Sequence, residues 1–78
     1  MVNAEQIKGF DKLSVENQRL FERFMGNFLG AQGIDARNEI VPQSVRFVSE
    51  GKEHYLRFDF LRGKKESWLH VRGAHAWD

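Results

Sequence analysis

Six side chains carry the chemical interest of this chain: Arg46, Tyr55, Arg57, Trp68, His70 and Arg72. Arginine offers a planar fork of donors that fits carboxylates and phosphates, tyrosine and tryptophan offer flat faces for stacking, and imidazole can donate, accept or carry charge near neutrality. Their spacing brings them together. Taken in alternation along Val45 to Arg72, they fall with Val48, Asp59 and Leu61 on one face of three extended segments. The opposite face collects Val45, Phe47, Leu56, Phe58, Phe60, Leu69 and Val71, which is nearly pure hydrocarbon and has to be covered.

The open face suggests two kinds of chemistry. One is recognition: exposed aromatics mixed with arginine have the composition of protein contact patches, and the same mixture can stack on bases and fork onto phosphates. A three-stranded antiparallel sheet backed by a helix is also an architecture that some DNA-binding proteins lay into the major groove. The other is acid/base chemistry from Asp59 and His70, since a carboxylate that orients an imidazole is the beginning of a catalytic site. That pairing depends on a turn. If Arg62-Gly63-Lys64-Lys65 is all loop, Asp59 faces His70, Leu61 faces Trp68 and Arg57 faces Arg72; if only Gly63-Lys64 turn, Asp59 faces Trp68 instead. No third group completes a site, so a cross-strand ion pair is the preferred reading of Asp59 and His70, and no enzyme is expected.

Other chemistries are excluded more firmly. There are no cysteines, which removes disulfides, thiolate metal sites and a thiol nucleophile together, and which suits a reducing compartment such as the cytoplasm. The glycines form neither a dinucleotide fingerprint nor a phosphate loop. His70 and His75 lack the helical register of a zinc box, and Ser14, Ser44, Ser49 and Ser67 lie in no nucleophile elbow. Lys64-Lys65-Glu66 lacks the spacing that would join Asp59 in a nuclease metal site. No cofactor, metal or small-molecule substrate is expected.

Size and charge narrow the partners. A chain of 78 residues makes one domain, near the lower limit for a fold without staples. With 12 basic and 11 acidic residues the net charge is +1, too small to drive binding to nucleic acid or an anionic membrane by itself. The segment from Ser44 onward holds all three histidines and the larger share of the basic residues. No secretory signal and no membrane span can be read from Met1 onward. The balance favours a protein partner or self-association, with DNA binding by the same face as the alternative.

The elements that must position these residues follow from capping and periodicity. Asn3-Ala4-Glu5-Gln6 has the form of a capping box and opens a short helical turn to about Lys8, ended by Gly9. Ser14 caps a main helix to about Gly30, on which Leu20, Phe21, Phe24, Met25, Phe28 and Leu29 recur every three or four residues. That stripe is the natural cover for the Phe-rich sheet face. Gly26 and Gly30 imply either a loosening helix end stopped by Gly33 or the close approach of another backbone, and Ile34 can close the end with an apolar contact. Trp77 makes the tail too apolar to be left loose, so it should fold back onto the domain or into a partner. The expected fold is α+β: a helical part over 1–33, a connector over 34–43, a three-stranded antiparallel meander over 44–72 and a tail over 73–78, in the order αβββ.

Overall fold

The computed structural model describes residues 4–78. The capping box beginning at Asn3 lies outside them. The chain opens with two 3-10 turns, Ala4–Gln6 and Phe10–Lys12, rather than one helical turn to Lys8. Between them Gly9 takes a left-handed φ of 92°, and a Cβ there would overlap the Val45 carbonyl oxygen. This close approach lets the Lys8 carbonyl accept from the Val45 N–H at 2.9 Å, which ties the N-terminal segment to the sheet by a parallel bridge at Ser44.

Helix α1 spans Val15–Gly30, with the Ser14 Oγ accepting from the Asn17 N–H at 3.2 Å. The Gln18 side chain donates to the Phe10 and Leu13 carbonyls, so the second 3-10 turn is clamped to the first turn of the helix. Phe21, Phe24, Met25 and Phe28 are buried, as the three- and four-residue spacing predicts. Among the described residues nothing lies within 4 Å of where a Cβ on Gly26 or Gly30 would sit, so no described backbone approaches them.

The expected connector over 34–43 is corrected. It holds a short helix, α2 (Ile34–Glu39), and the start of the first strand. Gly33 precedes α2 in an extended conformation instead of ending α1 in a left-handed one, and Ile34 is 75% exposed and closes nothing. The sheet comprises β1 (Ile40–Glu50), β2 (Glu53–Arg62), β3 (Lys65–Gly73) and β4 (Ala76–Trp77), all antiparallel in that order. The meander thus begins before Ser44, and the tail supplies a fourth strand. Pro42 lies within β1, which is an edge strand and can accept it. The register shifts between Pro42 and Ser44, leaving Gln43 as a bulge.

Two-residue Gly-Lys turns join the three long strands. Gly51 (φ 58°) and Gly63 (φ 65°) take the first turn position, and no described residue other than glycine has positive φ, the pattern of a type II′ hairpin turn. The core lies between α1 and one sheet face. Phe58 sits at its centre, with ring centroids of Phe21, Phe24, Phe28 and Phe60 at 5.4, 5.7, 6.3 and 5.1 Å. Ile7, Phe10 and Leu13 close one side, and Trp77 covers another by meeting Phe24 and Phe28 edge-on at 5.4 and 5.9 Å.

Phe47 is the exception on this face. Expected in the core, it is 48% exposed, and among the described residues the one ring it stacks on is that of His54, at 5.9 Å. A 16-residue helix is about 24 Å long and an 11-residue strand about 36 Å, so the helix cannot cover the whole of β1 and the first hairpin projects beyond it. Among the described residues no helix is long and apolar enough to cross a membrane.

Candidate functional site

Strand register arranges the open face in rows. Arg46, Arg57 and His70 form one, and Ser44, Asp59 and Trp68 the next. Val48 pairs with Tyr55 on one side of them, and Val41, Leu61 and Glu66 form the row on the other. The N-terminal turns and Trp77 cover the helix side and leave this face open. Trp68 is 51% exposed, Arg46 and Arg72 are exposed, and Tyr55, Arg57, Asp59 and His70 are half-buried.

Across the strands five of the expected site residues make one continuous stack. The Arg72 guanidinium lies over Tyr55 at 5.4 Å, Tyr55 meets His70 at 4.2 Å, His70 meets Trp68 at 4.8 Å, and Arg57 lies over Trp68 at 5.3 Å. Each contact is of a kind worth some tenths to about 1 kcal/mol at a half-exposed site. Together they fix the orientation of rings that would otherwise swing freely. Arg46, the sixth, stands beside the stack on β1 without joining it.

Both readings of Asp59 and His70, the preferred cross-strand ion pair and the acid/base site, are corrected. Arg62 pairs with Lys65, so only Gly63 and Lys64 turn, and Asp59 faces Trp68 while Arg57 faces His70. Leu61 accordingly faces Glu66, not Trp68. The Asp59 carboxylate accepts from Arg57 Nε at 3.1 Å and from the Ser44 hydroxyl at 3.3 Å. His70 lies between two aromatic rings, and no carboxylate among the described residues orients it. Among the described residues no three His, Cys, Asp or Glu side chains cluster closely enough to hold a metal ion.

Two carboxylates that were not expected at the face, Glu53 and Asp78, join Asp59 in setting its electrostatics. Arg57 is paired with Asp59, and Arg72 lies 3.9 Å from Glu53 and 3.8 Å from Asp78. Such half-exposed pairs add little stability, about 1 kcal/mol at most. They do offset the positive charge of the face. Glu53 could have been found, because it alternates with Tyr55 and Arg57 along β2. Ser44 and Asp78 could not, since one depends on the bulge and the other on β4. A shallow hollow beside the bulge, lined by Gln43, Arg57, Asp59, Leu61, Glu66 and Trp68, completes the surface.

In comparisons with protein-family models, with curated proteins and with solved structures, nothing matches this chain, so its site is read from its own chemistry.

Proposed function

We propose that the open sheet face is a non-catalytic recognition surface whose partner is another polypeptide. The observation that carries this reading is the pairing of Arg57 and Arg72 with Asp59, Glu53 and Asp78 beside an exposed Trp68. Arginines already matched by carboxylates have little net charge to give to phosphates, whereas an oriented tryptophan ringed by charge-balanced polar groups has the make-up of a protein hot spot. The stack is ordered before any partner arrives, so less side-chain freedom is lost on binding.

DNA binding by the same face is the second reading. It draws support from Arg46, which has no carboxylate within salt-bridge distance among the described residues, and from the stacking surfaces of Tyr55 and Trp68. Titrating random-sequence duplex DNA while following tryptophan fluorescence at about 50 and 200 mM salt separates the two, because phosphate contacts weaken steeply over that range. The protein-contact reading expects no binding at either salt. Salt-sensitive binding that disappears in Arg57→Ala and Arg72→Ala would replace it with the nucleic-acid reading.

A further inference from the structure

The outer edge of β1 is a second surface, independent of what the open face binds. Its N-terminal half is occupied where the Val45 N–H donates to Lys8. Backbone groups of successive strand residues point alternately to the two sides, so the next outward-facing groups belong to Phe47 and Ser49. No described residue bonds to them. The opposite edge of the sheet is better guarded: β4 and the Asp78 backbone occupy it from His70 to Gly73, and its remaining stretch begins with Lys65 and Glu66, charges that discourage pairing.

The charges along the free edge make a pattern. Arg46 stands directly opposite Arg57, and Glu50 directly opposite Glu53, both on the open face. Like charges facing across a ladder are unfavourable. Neither Arg46 nor Glu50 has an oppositely charged partner within salt-bridge distance among the described residues. On the other face of the same stretch, Phe47 is left half exposed.

We propose that β1 pairs antiparallel with β1 of a second copy of this chain, with Val48 facing its own symmetry mate. In that register Phe47 and Ser49 of the second copy exchange both backbone hydrogen bonds, using the groups left free. Arg46 comes opposite Glu50 of the second copy, and Glu50 opposite its Arg46, in the closer, non-hydrogen-bonded positions. Each like-charge pair thereby gains an opposite charge on its outer side. The two Phe47 rings become diagonal neighbours, within reach of each other. A register centred on Phe47 would need the Val45 N–H already given to Lys8, and one centred on Ser49 would set Arg46 against Lys52. The sequence of the edge therefore selects one two-fold arrangement, which also joins two open faces into one continuous sheet.

The test is sedimentation equilibrium of the whole chain over a range of concentrations. The expected result for the wild type is a mass rising toward twice 9.1 kDa. Arg46→Glu alone and Glu50→Arg alone should each weaken dimerisation by about tenfold or more, and the double swap should restore it because opposite charges then face again. Ser49→Pro removes an outward N–H that the chain itself does not use, so it should give a monomer with an unchanged circular dichroism spectrum. Trp68→Ala should leave the dimer intact. A wild type that stays at 9.1 kDa up to about 1 mM would overturn the proposal. So would a double swap that fails to restore dimerisation, or a dimer lost in Trp68→Ala and kept in Ser49→Pro.

Discussion

The guanidinium of Arg57 lies over the indole of Trp68, 5.3 Å from the ring centroid, although the two residues are not directly opposite in the ladder. Arg57 reaches diagonally past Asp59, to which it also donates a hydrogen bond at 3.1 Å. One side chain thus holds the most exposed aromatic ring of the open face and the carboxylate beside it.

Replacing Trp68 by alanine should therefore leave the fold in place, at a cost of about 1 kcal/mol or less, because the ring is half exposed and its contacts are of the cross-strand kind. Binding to a partner of the open face should be lost. Urea titration gives the first quantity, and retention of a protein partner by immobilised wild type but not by the variant gives the second. A variant that unfolds would show that Trp68 supports the core.

Phe58→Ala should do the opposite. Its ring is fully buried and touches four other phenylalanines, so the change should cost about 3–5 kcal/mol, a large share of the stability of a domain this small. Chemical unfolding would register it as a lower midpoint. Near-normal stability would contradict the arrangement of helix on sheet.

The two tryptophans should be distinguishable by light. Trp77 lies against Phe24 and Phe28 and Trp68 faces solvent, so the fluorescence left in Trp68→Ala should be blue-shifted and resist acrylamide, and that left in Trp77→Ala should be quenched readily. Trp77→Ala should also destabilise the fold, by about 1–3 kcal/mol, since the ring is only partly buried.

Glycine substitutions should divide by position. Gly26→Ala meets open space in a helix and should stabilise by about 0.5–1 kcal/mol. Gly9→Ala places a methyl group against the Val45 carbonyl at a left-handed φ and should destabilise clearly. Thermal unfolding of the two variants, compared with the wild type, reads both signs at once.

The α1 stripe, the two sheet faces and the two Gly-Lys turns were legible in the sequence because each rests on short-range periodicity or on a glycine at a turn. What escaped depended on distant partners. Ile34 to Gln43 read as a connector because Gly33 and Pro42 resemble punctuation, yet α2 forms between them and Pro42 is accepted on an edge. Phe47 alternates correctly with the core residues, and only the length of α1 relative to β1 leaves it outside. Of the expected site residues, five meet in one stack and Arg46 stands apart. The turn length that removed the Asp59–His70 pair was one of two alternatives the sequence left open.

The position of β2 has a consequence in time. It is joined to both neighbours by two-residue turns, so its ladder contacts on either side link residues close along the chain. Closing short loops is fast, and hairpins of this kind form in roughly 1–10 μs. The meander can thus assemble early, with α1 and Trp77 docking onto it late, since Phe24 and Trp77 must meet across most of the chain. Stopped-flow measurements should then find that changes at Gly51 or Gly63 mainly slow folding, whereas Trp77→Ala mainly hastens unfolding.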